Sequence, residues 1–260
     1  MSGADPMEMT ALVAFAEQLA DTARPIAMRY FRQSVPVETK DDDSPVTIAD
    51  RMIEGEMRRM ISGRFPGHGI FGEEFEQRIG DDHTWVLDPI DGTRSFISGM
   101  PLFGTLIALL RRDDPILGVV DFPALGERWV GWAGQPTTCN GQAVRTSDCR
   151  EIAKSRCYCT SPDMFGEADL RRFEDLSRSA AMRRFGGDCY AYALLASGHC
   201  DLVVEAGLKP YDYLPLVRVI EGAGGRITDW QGRRLGLQSD GRVVAAASEE
   251  LLRHAIDALR

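Results

Sequence analysis

Residues 85–96 read WVLDPIDGTRSF, an apolar run followed directly by two aspartates three positions apart. The apolar residues 85–87 predict a buried strand that delivers Asp88 at its end. Pro89 is expected to stop the strand, which places Asp91 on the following turn. Two carboxylates brought together in this way can share one hard cation.

The residues after Asp91 suit an anion next to that cation. Gly92 permits a close backbone turn, and the successive N–H groups of Gly92, Thr93 and Arg94 are expected to form an anion-binding nest. Carboxylates, a cation and a nest together predict a phosphate site. The alternative is an ordinary surface turn, because Asp and Gly are common in turns. Arg94 either reaches the phosphate or is a surface charge, and the sequence leaves both open.

Further carboxylates lie on either side of this stretch. Glu73 and Glu74 follow a candidate strand, where a solvated acidic pair is the alternative reading. Asp212 lies just ahead of a candidate helix, where it would otherwise act as an N-cap. With Asp88 and Asp91, Glu73 and Asp212 make four carboxylates from three segments. Such a set needs divalent cations to be tolerable, and oxygen-only ligands favour Mg²⁺.

The whole chain has 260 residues, 44% of them apolar, and a net charge of −9. These values predict a globular protein and argue against a nucleic-acid or anionic-membrane binder. The longest apolar run, residues 102–110, is too short to span a bilayer. The first ten residues lack a signal-peptide pattern, and the six cysteines form no C-x-x-C pair, so we expect a cytoplasmic protein with reduced thiols.

The pattern of elements changes along the chain. Two amphipathic helices, the first over residues 10–31, precede a run of consecutive strands, which indicates an α+β arrangement. From about residue 150, strands alternate with helices, which indicates an α/β arrangement. We therefore predict two halves, residues 1–149 and 150–260, which pack tightly and share a site.

GHGIFG at 67–72 matches G-x-G-x-x-G, but a helix precedes it and two glutamates follow, so dinucleotide binding is not expected.

Taken together, these motifs resemble the inositol monophosphatase superfamily, the Mg²⁺-dependent, lithium-sensitive phosphatases, over nearly the whole chain. DPIDGT at 88–93 and GEE at 72–74 match its first motif. YD at 211–212, followed by EGAGG at 221–225, is similar to its W-D…E-A-G-G, with Tyr in place of Trp.

The resemblance implies roles for individual residues. It implies metal ligation by Glu73, Asp88, the carbonyl of Ile90, Asp91 and Asp212. Asp50 and Thr93 match the pair that orients the attacking water, Glu74 lies behind the metal ligands, and Lys40 matches a loop lysine near the site. It further implies a layered αβαβα sandwich, a homodimer, two or three Mg²⁺ per site, and attack of activated water on a small-molecule phosphate ester.

Two departures from the family pattern bear on the substrate. RSF at 94–96 resembles the histidinol-phosphatase branch, and RFGGDC at 184–189 carries Asp188 where inositol phosphatases have a neutral residue. Arg184 and Gly187 belong to the same substrate-side motif, and Glu205 matches a position that contacts the alcohol portion of the substrate. Two carboxylates there would favour a cation such as histidinol phosphate over a neutral polyol. For Asp188, a helix N-cap is the alternative.

Several other functions are alternatives to histidinol-phosphate hydrolysis. Within the family, a broad inositol-1-phosphate phosphatase is the main alternative, ahead of a nucleotide 3′-phosphatase or a fructose-1,6-bisphosphatase. A haloacid-dehalogenase phosphatase would need D-x-D-G, whereas the aspartates here are three apart. A non-catalytic metal- or phosphate-binding module is a third class, and the retention of Asp50 and Thr93 speaks against it.

Overall fold

Two helices open the chain and pack against each other over one face of a large sheet. Helix α1 spans Pro6–Tyr30 and α2 spans Ile48–Arg64. Apolar side chains recur along α1 at helical spacing, and Leu12 and Leu19 are buried, which confirms the predicted first helix. The computed structural model describes residues 6–33, 37–39 and 45–260, so Lys40 lies outside the described residues.

A seven-stranded sheet lies against these helices. Its strands run in the order β3-β4-β5-β6-β7-β8-β9, with β3 and β4 parallel and the other neighbours antiparallel. They span Gly69–Gly72 (β3), His83–Asp91 (β4), Gly104–Arg111 (β5), Asp114–Phe122 (β6), Glu127–Trp132 (β7), Thr138–Cys139 (β8) and Gln142–Ala143 (β9). Two further strands, Val37–Thr39 (β1) and Pro45–Thr47 (β2), pair antiparallel with each other.

Alternation along β4 divides the core into two layers. Trp85 and Leu87 point towards α1 and α2, whereas Val86 points to the opposite face. Successive side chains in a strand point to opposite faces, so a strand buried on both sides is apolar throughout.

A second sheet of five strands follows in the order β11-β10-β12-β14-β13. Its strands span Arg156–Cys159 (β10), Met182–Phe185 (β11), Leu202–Glu205 (β12), Arg226–Thr228 (β13) and Val243–Ala246 (β14). Four more helices belong to this part of the chain: Glu167–Arg178 (α4), Tyr190–Ala196 (α5), Pro210–Gly222 (α6) and Glu249–Leu259 (α7). Helix α3, Thr93–Ser98, lies earlier, directly after β4.

Helices α5 and α6 lie between the two sheets and share one apolar core with both. Helices α4 and α7 cover the outer face of the five-stranded sheet. The layers therefore follow the order α, β, α, β, α, which confirms the predicted sandwich. The predicted division at residues 149 and 150 falls between β9 and a short 3₁₀ helix, Ile152–Lys154, and it stays a prediction.

Two local predictions were wrong. Strand β4 does not stop at Pro89 but continues to Asp91, with a register shift against β5. Asp212 is not an N-cap, since α6 begins at Pro210 and Asp212 lies in its first turn. The sequence reading also missed α3 and the shortest strands, which are too brief to show a period.

Among the described residues, no helix is long and apolar enough to cross a membrane.

Candidate active site

The register shift in β4 brings Asp88 and Asp91 to one side of the strand. In a regular strand, residues three apart point to opposite faces. Here Asp88 lies opposite Leu106 and Asp91 opposite Gly104, so β4 holds one more residue than β5 between these points. An extra residue of this kind turns the following side chain to the other face, and the two carboxylates converge.

The hydroxyl of Thr105 supports this irregular stretch. It donates a hydrogen bond of 2.8 Å to the carbonyl oxygen of Pro89, and both groups are buried. Pro89 has no N–H to leave unpaired where the ladder is interrupted. The sequence reading did not single out Thr105, because its role depends on its position opposite the shift.

Asp212 completes the cluster from the first turn of α6. Its Oδ2 accepts a hydrogen bond from the N–H of Lys209 at 2.7 Å, which fixes the side chain at the start of the helix. One carboxylate oxygen from each of Asp88, Asp91 and Asp212 lies within 4.8 Å of the other two. Two residues of one strand and a helix residue from a distant part of the sequence thus face a single point.

The electrostatics of this cluster fit a divalent cation. Burial, together with the charges of Glu73, Asp91 and Asp212, raises the pKa of Asp88 well above its ordinary value. Burial and the neighbouring carboxylates also raise the pKa of Asp91, and they raise the pKa of Asp212 to about 7. A bound divalent cation reverses such shifts, because its own charge dominates the site.

One oxygen atom marks the place where a cation fits. Asp88 Oδ1 is buried and has no hydrogen-bond partner among the described residues. An unpaired buried carboxylate oxygen is costly, and a cation with oxygen ligands would remove that cost. The donor set of carboxylates alone is the set that Mg²⁺ accepts.

Glu73 and Glu74 lie on the turn that follows β3. The charge of Glu73 raises the pKa of both Asp88 and Asp212, so this carboxylate lies near the cluster, although it is not one of the three that converge within 4.8 Å. The N–H of Glu74 donates a hydrogen bond of 2.7 Å to Glu54 on α2. Metal ligation by Glu73 stays a prediction.

The residues predicted to orient water come from two helices. Thr93 is the first residue of α3, and its hydroxyl donates to the carbonyl oxygen of Ile90 at 3.2 Å, the oxygen predicted as a metal ligand. Asp50 lies buried in the first turn of α2, as predicted. The joint action of Asp50 and Thr93 on a water molecule stays a prediction.

Asp188 lies against residues 88–96, the phosphate motif, and its predicted alternative as an N-cap is wrong. Helix α5 begins at Tyr190 without a side-chain cap, and the Asp188 carboxylate instead accepts a hydrogen bond of 2.5 Å from the hydroxyl of Ser95. A Cβ on Gly92 would lie 3.2 Å from atoms of the Asp188 side chain. Burial raises the pKa of Asp188, while the positive charge of Arg94 opposes that shift.

Glu205, at the end of β12, is buried and largely hydrogen-bonded. Its Oε1 accepts from the N–H and the hydroxyl of Thr160 at 2.9 and 2.5 Å, and its Oε2 accepts from the hydroxyl of Tyr192 at 2.8 Å. A carboxylate offers about four lone-pair positions, so about one remains for a further donor. Burial raises the pKa of Glu205, and the negative charge of Asp188 adds to that shift.

The other predicted substrate residues lie at the surface or beside α5. Arg94 and Arg184 are exposed, on α3 and β11 respectively. Gly187 packs closely on α5, since a Cβ there would lie 3.0 Å from the Cβ of Ala191. Contacts of these residues with a substrate stay predictions.

The G-x-G-x-x-G match has a packing explanation. Its last four residues form β3, and no helix opens after them. A Cβ on Gly69 would lie 2.0 Å from the backbone nitrogen of Gly80, and a Cβ on Gly72 would lie 2.0 Å from the carboxylate of Glu54. Close approach of backbone and side chains therefore accounts for these two glycines.

Comparisons with known proteins agree with this arrangement. The model of the inositol monophosphatase family matches residues 8–260. Over 97% of its length the chain is 45% identical to the bifunctional phosphatase IMPL2, chloroplastic, of Arabidopsis thaliana, covering 76% of that protein. It is 38% identical to a histidinol-phosphatase of Chlorobaculum parvum, with 91% and 93% of the two chains covered.

A solved structure is similarly close. The structure of an inositol monophosphatase from Zymomonas mobilis matches with a TM-score of 0.89 and 43% identity, over 96% of this chain and 98% of that one.

Proposed function

Because the chain belongs to the inositol monophosphatase family and is a metal-dependent phosphomonoesterase, we propose that it hydrolyses L-histidinol phosphate to L-histidinol and phosphate. The observation that carries this proposal is the place of Asp188. Its carboxylate lies against Gly92 and Ser95 of the phosphate motif. A substrate bound through its phosphate at this motif would present its alcohol portion to a negative charge.

The charge on that side of the site selects between alcohols. Histidinol carries an ammonium group and a titratable imidazole, whereas inositol is neutral. Hydrogen bonds to an ionised group are roughly twice as strong as those between neutral groups. Asp188, with the further negative charge of Glu205 behind it, therefore favours the cationic alcohol.

The carboxylates of the cluster would hold the cations. Asp88, Asp91 and Asp212 converge on one point, and we assign Glu73 and the carbonyl of Ile90 to the same ligand set. Mg²⁺ bound there would neutralise the phosphate and lower the pKa of water. We infer two or three Mg²⁺ per site from the family resemblance.

The remaining residues of the site bind the ester and direct the water. The N–H groups of Gly92, Thr93 and Arg94 would bind the phosphate oxygens at the start of α3. Asp50 and the Thr93 hydroxyl would orient the attacking water, and Glu74 would support the metal ligands from behind. The role of Lys40 near the site stays a prediction. The ester is thus held between the phosphate motif and Asp188, with its alcohol oriented to leave.

A direct comparison of substrates tests the proposal. Phosphate release is measured at fixed Mg²⁺ from histidinol phosphate and inositol-1-phosphate side by side, with an EDTA control. We expect a preference for histidinol phosphate of about 100-fold in kcat/KM, which corresponds to about 2.7 kcal/mol. Equal or reversed rates would favour the inositol-1-phosphate alternative, to which the match with the Zymomonas mobilis structure lends support. Metal-dependent release from neither ester would favour other phosphomonoesters or a binding module.

The remaining parts of the proposal concern assembly and location. A homodimer and a cytoplasmic location stay predictions, and one relative carries the word chloroplastic in its name. Light scattering on the purified protein measures the first, and fractionation of cells the second.

A further inference from the structure

An ion pair on α2, with its carboxylate buried and its arginine half-buried, contacts the turn that carries Glu73 and Glu74. Glu54 is fully buried, and its Oε1 accepts a hydrogen bond from Arg58 Nε at 2.7 Å. Its Oε2 accepts the N–H of Glu74, also at 2.7 Å. The Oε2 bond thus joins the helix to the turn, while Oε1 binds an arginine of the helix itself.

The contact extends to both sides of Glu73. Before it, a Cβ on Gly72 would lie 2.0 Å from Glu54 Oε1, so the carboxylate occupies the space that a side chain would need. After it, Arg58 Nη2 donates to the carbonyl oxygen of Phe75 at 3.3 Å, and the guanidinium lies over the Phe75 ring. The ion pair therefore contacts the backbone at three of the four residues from Gly72 to Phe75.

The sheet holds the two ends of this turn but not its middle. Strand β3 pairs with β4 as far as Gly72, opposite Leu87, and on its other side Ile70 forms a two-bond bridge with Arg78, which follows the turn. Between Gly72 and Arg78 no residue is paired in the sheet. A charge-assisted hydrogen bond to a buried carboxylate is stronger than a neutral one, so Glu54 is well suited to fix the turn at Glu74.

One face of α2 carries both Asp50, a predicted water-orienting residue, and Glu54, which contacts the turn. Asp50 and Glu54 lie four residues apart on α2 and hence one above the other on one face. Asp50 is predicted to reach the water, while Glu54 reaches the turn. This shared face ties the position of Glu73 to the helix that carries Asp50.

We propose that Glu54 and Arg58 are positioning residues that hold the turn of Glu73 and Glu74 and so place Glu73 for cation binding; this inference rests on the proposed function. Neither side chain touches substrate in this assignment, and both act through the turn. Residues that orient metal ligands in this way typically contribute about 10- to 100-fold to metal affinity or activity.

Cation binding to the purified full chain tests the inference without relying on catalysis. Mn²⁺ replaces Mg²⁺ as the probe, since both accept octahedral oxygen ligands, and its binding is measured by calorimetry and electron paramagnetic resonance. We expect Glu54→Gln to weaken Mn²⁺ binding about tenfold, because the amide retains the shape but loses the charge that holds Arg58 and Glu74.

A matched control separates positioning from stability. Asp201 is also a buried carboxylate that accepts one backbone N–H and an arginine, both from Arg156, at the opposite end of β12 from Glu205. We expect Asp201→Asn to lower the free energy of unfolding as Glu54→Gln does, while Mn²⁺ affinity stays at the wild-type value. Unchanged Mn²⁺ affinity in a folded Glu54→Gln variant would overturn the inference.

A second variant covers the case in which Glu54→Gln does not fold. Arg58→Met keeps the carboxylate and removes its partner and the bond to Phe75, and we expect a smaller loss of Mn²⁺ affinity of about threefold or more. Wild-type affinity in this variant would then overturn the inference. Phosphate release by the wild-type chain tests the proposed function separately. A wild-type chain that releases no phosphate, with Mn²⁺ binding still weakened in Glu54→Gln, contradicts the function and supports the inference.

Discussion

The hydroxyl of Ser95 donates a hydrogen bond of 2.5 Å to the carboxylate of Asp188 across 93 residues of the chain. This bond joins α3, which begins within the phosphate motif, to the segment that precedes α5. Asp188 has a positive φ of 42°, an uncommon backbone conformation for a residue other than glycine. Its side chain is thereby held beside Gly92 and not at the end of α5.

The Ser95–Asp188 bond predicts how substrate preference responds to mutation. Asp188→Asn is expected to reduce the preference for histidinol phosphate over inositol-1-phosphate by about 10- to 100-fold, since a bond to a charged group contributes about 1.5–3 kcal/mol. Ser95→Ala is expected to reduce it less, because the charge remains but is no longer held. The ratio of kcat/KM values for the two esters measures the effect.

Ser98→Ala is the control for these variants. Ser98 is exposed on the same helix, and its hydroxyl donates only to the carbonyl oxygen of Ser95. In this variant, the ratio of kcat/KM values for the two esters should equal that of the wild type. If Asp188→Asn also keeps the wild-type ratio, Asp188 does not select the alcohol.

The unpaired oxygen of Asp88 predicts two opposite effects of one substitution. Asp88→Asn should lower phosphate release at saturating Mg²⁺ by at least about 100-fold, because the metal contributes several kcal/mol to the transition state. In the cation-free protein the same change should raise the free energy of unfolding by about 1–3 kcal/mol, since it removes a buried unpaired charge. Enzyme assays and urea denaturation in EDTA measure the two effects.

Asp81→Asn gives the matched comparison for Asp88. Asp81 is exposed ahead of the same strand, β4. In that variant, phosphate release and the free energy of unfolding should both stay close to the wild-type values. Wild-type phosphate release by Asp88→Asn would refute the metal assignment.

The raised pKa values of the cluster predict the pH dependence of stability without metal. The pKa of Asp212 lies at about 7 in the folded protein, against about 3.9 for an unfolded aspartate. The folded state therefore binds more protons between these values, and its stability falls as the pH rises from about 4 to about 7. Thermal unfolding in EDTA across this range should show a falling Tm.

Saturating Mg²⁺ should flatten this slope, because the cation keeps the carboxylates ionised in the folded state. Asp212→Asn should flatten it in EDTA as well. A Tm that rises between pH 4 and pH 7 in EDTA would show that the carboxylates are not held at raised pKa values.

Thr105 predicts a linked effect on stability and cation binding. Thr105→Val has nearly the same volume but leaves the buried carbonyl of Pro89 without its hydrogen bond of 2.8 Å, at a cost of about 1–3 kcal/mol. We expect the register shift in β4 to loosen and Mn²⁺ binding to weaken. Urea denaturation and calorimetry measure both.

Thr84→Val is the comparison for Thr105. Thr84 is equally buried on β4, but its hydroxyl accepts from the N–H of Gly80, away from the aspartates. It should lose stability and keep its Mn²⁺ affinity. Equal Mn²⁺ affinities in both variants would mean that Thr105 supports the strand alone.

Much of the fold follows from local patterns in the sequence. The apolar stripe of α1 and the unbroken apolar run at the start of β4 lead to elements that the structure contains. Their periods of 3.6 and 2 residues are properties of the chain itself. The strand β11, Met182–Phe185, carries two arginines and shows no such period, so its pairing with β10 was not predictable from sequence.

The sequence by itself determined the chemistry of this protein, the carboxylates that suit Mg²⁺, because residue type and spacing along the chain carry that information. Through its resemblance to a family it also implied the layered fold. Tertiary structure alone decided the geometry. The register shift turns Asp91 to the same side of β4 as Asp88. The Asp188 carboxylate accepts a hydrogen bond from Ser95 and does not cap α5. The Glu54 carboxylate accepts the N–H of Glu74 on the turn after β3. Each of these contacts joins segments distant in sequence or depends on a neighbouring strand, and the energy of burying a charge beside its partner exists only once the layers have packed.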